Sequence, residues 1–310
     1  MKVYELTKDN LVECSFKDFI HSTDKQFWLI INTDELEENI DYFNFSYQTV
    51  YDCVRNDDDT PKLDAYDNYS FGIINIIEIK NFFKSYELDF YLTKNSLIFV
   101  SKYDLEIIDN ILLAVSEKGT LNISLDKILY LLFDKMTIKD YDLLSNLENE
   151  IFEVEEDVIE GKTKDYITDI VSLKKKILFL KKQYEPLLDV IEDLYENENE
   201  MLNQNSIAYF KIIFNRIERL NNKVKNLSDY TTQVRESYQA QIEINTNNTM
   251  KIFTVLTAIF YPLSLIVGWY GMNFVNMPEI TWKYGYIFVI CLSISVVAFG
   301  FFLFKKKKWL

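Results

Sequence analysis

Residues 247–286 read NNTMKIFTVLTAIFYPLSLIVGWYGMNFVNMPEITWKYGY, and this stretch decides the architecture. No charged side chain occurs from Ile252 to Pro278. At about 1.5 Å rise per residue, residues 252–270 alone can cross a hydrocarbon core roughly 30 Å thick. The chain then breaks at Gly271-Met272-Asn273, passes a short polar turn containing Glu279 and Lys283, and enters a second apolar run over 284–304. The pattern predicts two transmembrane helices joined as a hairpin.

Charge is divided along the chain. The formal net charge is −15, yet residues 252–310 hold Lys283, Lys305, Lys306, Lys307 and Lys308 against Glu279, which is +4, so residues 1–251 carry −19. Such an acidic surface repels nucleic acid and anionic lipid headgroups and attracts cations; solubility alone is the competing explanation. Cys14, Cys53 and Cys291 are odd in number and far apart, which argues against a disulfide framework or a zinc site. The start, MKVYELTKDN, lacks the apolar core of a signal peptide, so the N-terminal domain is expected to stay cytoplasmic. Lysines directly after the second span place that end in the cytoplasm by the positive-inside rule, and the turn between the spans outside.

Upstream, FWLIIN (27–32), FGIINIIEI (71–79) and LDFYLTKNSLIFVS (88–101) predict strands, the last a hairpin turning at Lys94-Asn95. Helices are expected from Thr33-Asp34-Glu35 into LEENIDYF and over SKYDLEIIDNILLAV. From about Ser124 apolar residues recur every three or four positions, which predicts packed antiparallel helices with breaks at Gly161 and over 196–205, and a kink or split at Pro186. From Ser206 no proline or glycine interrupts the pattern before Pro262, so one helix is expected to run into the first span. Its apolar positions Ile213, Ile217, Leu220, Val224, Leu227 and Val234 need covering, by their own domain or by copies of the chain.

Together these readings predict an α+β cytoplasmic domain of α/β layers plus long helices, a long stalk helix and a two-helix transmembrane hairpin. Residues 1–122 form the α/β domain, 123–205 the helical region, 206–251 the stalk and 252–272 the first span. Residues 273–283 form the external loop, 284–304 the second span and 305–310 a basic tail.

Catalytic chemistry has little to work with. His21 is the single histidine, and it stands without a serine or cysteine motif, so a surface role is expected and no catalytic residue is assigned. Asp57-Asp58-Asp59 reads as a solvated loop, since consecutive carboxylates seldom converge on one ion. A conduction path needs groups that attract an ion and release it. Asn247, Met250, Phe253 or Thr254, Thr257, Tyr261, Ser264 and Gly268 recur as a polar-to-small stripe through the first span and its approach. Several such helices around a symmetry axis would line a pore; alternatively, Thr257 and Ser264 bond back to their own helix and Tyr261 anchors packing. Mg²⁺ gives up water reluctantly, so amide and carbonyl oxygens of Asn273 and Gly271 suit a first encounter with the hydrated ion, helped by the negative end of the helix dipole. Glu279 beside the mouth either concentrates cations or aids solubility.

Tyr270-Gly271-Met272-Asn273-Phe274, then Met277-Pro278-Glu279, Trp282, Gly285-Tyr286 and the final Lys305-Lys306-Lys307-Lys308-Trp309-Leu310 resemble the membrane module of the CorA family of magnesium transporters. The resemblance is dense over the hairpin and only architectural before it. It implies a homopentamer in the cell (inner) membrane, with a funnel-shaped cytoplasmic domain, both termini cytoplasmic, and passive uptake of Mg²⁺ driven by the membrane potential. Carried over by position, Gly271, Met272 and Asn273 would be the outer selectivity site and Asn247 an inner polar ring. Met250 and Phe253 would form a hydrophobic constriction, and Thr257, Tyr261 and Ser264 would line the passage. Tyr261 is bulkier than the methionine of the family pattern, and Phe253 replaces a leucine-like residue; both would be expected to narrow a closed pore. The family's gating aspartate near the start of the stalk is absent from Tyr209-Phe210-Lys211-Ile212, so no regulatory ligand is assigned.

The reading is a Mg²⁺ channel or transporter, with Co²⁺ or Ni²⁺ as secondary substrates. Two alternatives remain: a Zn²⁺ transporter of the same architecture, disfavoured by the lack of cysteine and histidine near the pore, and a non-conducting membrane-anchored scaffold or cation sensor.

Overall fold

A computed structural model describes residues 1–7, 10–22, 24–55, 60–78, 84–116, 123–162, 164–273, 277–278 and 282–307. The chain divides into two compact units, one comprising residues 1–157 and 163–235, the other residues 158–162 and 236–310.

In the first unit, strands β1 (Lys2–Leu6), β2 (Leu11–Glu13), β3 (Gln26–Ile31), β4 (Lys62–Ala65), β5 (Ser70–Ile77), β6 (Ser85–Leu92) and β7 (Ser96–Val100) form one sheet in the order β2-β1-β3-β7-β6-β5-β4. Among the described residues, only the β3–β7 pairing is parallel; the other five are antiparallel. Period-two alternation divides the strand residues between two cores. Trp28, Ile74, Leu88, Phe90, Leu92, Leu97 and Phe99 face one, and Phe27, Leu29, Ile31, Phe71, Ile73, Tyr91, Ile98 and Val100 face the other. Because both faces are buried, the central strands read as nearly continuous apolar runs.

Short helices supply one covering layer: α1 (Phe16–His21), α2 (Thr33–Glu38), α3 (Ile40–Phe43) and α4 (Tyr47–Arg55). Ser15 with Asp18, and Asn32 with Glu35, form reciprocal capping boxes that satisfy orphan amides at the starts of α1 and α2. The single helix expected after Thr33 is two. Asn39 divides it, donating from Nδ2 to the Glu35 carbonyl at 2.8 Å, and left-handed Asn44 (φ 53°) closes α3.

The other layer holds α5 (Glu106–Ser116), α6 (Leu125–Thr137), α7 (Asp140–Ile159), α8 (Ile167–Glu196) and the first part of α9 (Ile207–Tyr270). The predicted breaks stand: Gly161 adopts φ 69° after α7, and Asn197 and Glu200 adopt φ 50° and 52° after α8. Pro186 does not split α8, which is unbroken over its 30 residues. The ring costs one backbone donor, and buried Tyr184, Leu187, Val190 and Ile191 on either side hold the helix in register against the core.

Along α9, Phe210, Ile213, Ile217, Leu220, Val224, Leu227 and Val234 are each no more than 2% exposed and join the core of their own unit. That resolves what covers these positions: the domain itself. Arg216 anchors the same helix to α6, pairing with Asp134 at 2.8 Å and donating to Thr137 Oγ1 at 3.2 Å.

The second unit contains the remainder of α9 and α10 (Gly285–Lys306). α9 is continuous for 64 residues and contains Pro262. Both helices are long and apolar enough to cross a membrane, and their apolar stretches are almost wholly uncovered by protein.

Candidate ion pathway

The span of α9 has two distinct faces. Val255, Ile259, Pro262, Leu263, Ile266 and Tyr270 are buried or half-buried, while the rest of the span is exposed. On α10 the shielded positions are Gly285, Val289, Ser293, Val296, Gly300 and Phe304. Spacings of three and four residues place each set on one side of its helix. Gly300 and Ile259 mark where the sets meet: a Cβ at Gly300 would lie 3.1 Å from Ile259 Cγ1. Small residues on α10 admit this approach, a signal present in the sequence as Gly285, Ser293 and Gly300 that the reading of the sequence did not use.

At 100° per residue, the stripe of Asn247, Met250, Thr257, Tyr261, Ser264 and Gly268 centres about 180° from the shielded face of α9. Every one of these residues is exposed in the chain, with Met250 at 59% and Tyr261 at 72%. Phe253 (60% exposed) and Thr254 flank the stripe on opposite sides, so both border it. A Cβ at Gly268 would meet nothing within 4 Å.

Within the stripe, Thr257 Oγ1 donates to the Phe253 carbonyl at 2.8 Å, and Thr254 Oγ1 donates to the Met250 carbonyl at 2.7 Å. The back-bonding considered as an alternative role therefore occurs at Thr257. It does not consume the oxygen: with its proton committed to the helix, each hydroxyl presents lone pairs only, the polarity that accepts hydrogen bonds from water bound to a cation.

At the other end of the span, α9 closes with Gly271 N–H donating to the Val267 carbonyl at 2.9 Å. A Cβ on Gly271 would stand 3.0 Å from that same carbonyl oxygen, so the position is short of space for a side chain. Met272 and Asn273 follow as exposed residues beyond the helix end, where unsatisfied carbonyls carry partial negative charge. Glu279 and Asp57-Asp58-Asp59 lie outside the described residues. Among the described residues no group of three or more His, Cys, Asp or Glu could hold a metal ion, so the oxygens offered along the stripe are neutral amides, hydroxyls and carbonyls.

His21 is exposed at the end of α1. The three cysteines are free; Cys53 is buried, its Sγ 3.3 Å from the Tyr91 hydroxyl, and burial pushes its thiol well above the usual range.

The chain is 28% identical over 290 residues to the cobalt/magnesium transport protein CorA of Thermotoga maritima, an alignment covering 91% of this chain and 81% of that protein. Over 94 residues, 28% of this chain and 29% of the relative, it is 40% identical to the magnesium transport protein CorA of Wolinella succinogenes. Its fold superposes on the complete CorA magnesium transporter of Methanocaldococcus jannaschii with a TM-score of 0.82 at 18% identity, covering 100% of this chain and 99% of that one. With the profile described as CorA-like Mg²⁺ transporter protein matching residues 25–306, the chain belongs to that family, as an integral membrane transporter of divalent cations with an α+β domain, a long helix and a two-helix hairpin.

Proposed function

We propose that the protein is a passive Mg²⁺ uptake channel whose central pore is lined by the exposed stripe of α9, with Gly271-Met272-Asn273 as the outer selectivity site. The supporting observation is that the exposed side of the span opposite α10 carries the acceptor oxygens and small residues together with Met250 and Tyr261, while the shielded side is almost wholly apolar. A single stripe encloses nothing. Copies of the chain around an axis, five by the family resemblance, turn each residue into a ring. Asn273 amides meet the hydrated ion at the negative helix ends, Gly268, Ser264 and Thr257 pass it inward through its waters, and Tyr261, Phe253 and Met250 close the path when the helices approach. Asn247 receives the ion on the inner side.

In this reading the N-terminal domain and the lysine-rich end lie in the cytoplasm of the cell (inner) membrane, and the membrane potential drives entry at about 2.3 kcal/mol per elementary charge per 100 mV. Co²⁺ is a secondary substrate, as the name of the Thermotoga relative implies for that protein. Flux into liposomes loaded with a Mg²⁺-sensitive dye tests the proposal, together with the mass of the detergent-extracted particle. Parental flux that collapses in Asn273→Ala is the expected result. No parental flux under any gradient returns the scaffold reading, and faster Zn²⁺ than Mg²⁺ flux returns the zinc transporter.

A further inference from the structure

On α9, Phe210, Ile213, Ile217, Leu220, Val224 and Leu227 follow one another at alternating intervals of three and four residues. Leu144, Leu147, Ile151 and Val154 do the same on α7, as do Ile170, Leu173, Ile177, Leu180, Tyr184 and Leu187 on α8. All three sets belong to one core, so α7, α8 and α9 pack as a three-helix coiled coil inside the first unit.

The polar flank of this seam keeps the same seven-residue interval. Arg216, Lys223 and Tyr230 stand beside the seam of α9. Arg216 pairs with Asp134 of α6 at 2.8 Å, Lys223 pairs with Glu148 of α7 at 2.9 Å, and the Tyr230 hydroxyl donates to Glu155 of α7 at 2.6 Å. Glu148 and Glu155 are themselves seven residues apart, while Lys176 of α8 meets Glu150 on the other flank of α7. Aliphatic side chains at each repeat grip a helix without fixing it, because they offer their neighbours nearly the same surface after a small screw displacement. Flanking polar pairs meet in one register and one rotation only. Both pairs between α7 and α9 are partly exposed, so each adds little to stability, and their contribution is geometric.

Resting on the pore reading, we infer that Lys223 and Tyr230 are positioning residues for ion conduction: held by Glu148 and Glu155, they fix the rotation of α9 about its own axis, and with it the direction in which Thr257 and Ser264 face. The helix is uninterrupted from Ile207 to Tyr270, so a turn released at these pairs is carried along it to the stripe.

Mg²⁺ flux into liposomes, measured on the full-length protein over a range of Mg²⁺ concentrations, tests this. Lys223→Glu and Glu148→Lys, each alone, are expected to lower the maximal flux several-fold at an unchanged half-saturating concentration, and the two together to restore most of it. Tyr230→Phe, which deletes one hydroxyl, is expected to act in the same direction more weakly. Rotation has its own readout. In a background with Cys14→Ser and Cys291→Ser, the rate at which a water-soluble thiol reagent labels Thr257→Cys is compared with that for Leu256→Cys, about 100° around the helix. Adding Lys223→Glu is expected to lower this ratio several-fold, and adding Glu148→Lys as well is expected to return it. Single reversals that leave maximal flux and the labelling ratio at parental values overturn the inference. So does a loss of flux that follows a loss of thermal stability with the ratio unchanged, since the pairs would then only hold the domain together. Either result leaves the pore reading standing. Absence of parental flux under any gradient overturns that reading, and the inference with it.

Discussion

Gly300 of α10 and Ile259 of α9 approach so closely that a single methyl group on the glycine would sit 3.1 Å from Ile259 Cγ1. Ile259 is β-branched and has little rotamer freedom in a helix, so it yields poorly. Gly300→Val is therefore expected to lower the thermal stability of the detergent-solubilised protein, at a cost of about 1–3 kcal/mol typical of overpacking. Ile259→Ala in the same chain is expected to recover most of the loss. The double-mutant cycle is the measurement, and additive effects would mean that the two helices do not pack through this pair.

The C-terminal end of α9 makes a separate demand. Asn273→Ala removes the exposed amide, and Gly271→Ala presses a methyl against the Val267 carbonyl, 3.0 Å away. Both are expected to reduce Mg²⁺ flux by about tenfold or more in the liposome assay, for different reasons. If Asn273 is the selectivity site, alanine at 273 deletes the acceptor for the ion's water, whereas alanine at 271 displaces a correct acceptor. Flux in Asn273→Gln, which keeps the amide but moves it outward by one methylene, is expected to fall between parent and alanine.

Phe253 and Tyr261 are both large, exposed and on or beside the stripe, eight residues apart. If they close the pore, removing bulk leaves a leak. Phe253→Ala and Tyr261→Ala are expected to raise basal Mg²⁺ entry under conditions where the parent is closed, measured as dye response without an applied potential. Unchanged leak in the double variant would place the constriction elsewhere.

Much of this architecture was legible from residues 247–286, because a membrane imposes length and charge limits that a sequence displays directly. The stripe at Ile213, Ile217 and Leu220 was equally plain, since a period of 3.6 survives whatever covers it. Its cover was not legible, because periodicity says that a face is buried and not against what. β1, β2 and β4 escaped notice: KVYEL, LVE and KLDA are short, polar-rich segments, strands by virtue of their neighbours in the sheet. The packing side of α10 was hidden for the opposite reason. In a helix that is apolar all round, hydropathy singles out no face, and only its small residues distinguish one.

In the sheet, Gly72 on β5 pairs with Phe90 on β6, and the phenyl ring occupies the space that a side chain on the glycine would need. A Cβ there would fall 2.3 Å from both Phe90 Cε1 and Cζ. The ring is fully buried and meets Phe133 of α6 edge-on at 6.3 Å, so it has nowhere to move. Gly72→Ala is expected to destabilise the first unit by about 1–3 kcal/mol. Phe90→Leu, combined with it, is expected to restore part of that in chemical unfolding. A neutral Gly72→Ala would contradict the packing.

Asp140 opens α7 with only 6% of its surface exposed. Burial pushes its carboxyl up to about 6 from the ordinary value of 3.8, with the Tyr184 hydroxyl pulling in the opposite direction. Because the folded pKa lies above the unfolded one, the folded state holds the extra proton between about pH 4 and 6. Stability from this group is therefore fully present below the unfolded pKa and is lost as pH rises through about 6. Two pKa units correspond to roughly 3 kcal/mol, an upper bound for the gain in Asp140→Asn at neutral pH. That substitution keeps the shape and an acceptor oxygen for the helix start, and drops the buried charge. Thermal unfolding of the solubilised protein across about pH 4–8 is the check. The parent should lose stability through about pH 6, and the Asp140→Asn variant should show a flatter profile and the larger advantage above it. Parallel profiles for the two proteins would mean that the carboxyl ionises in the folded state as freely as in the unfolded chain.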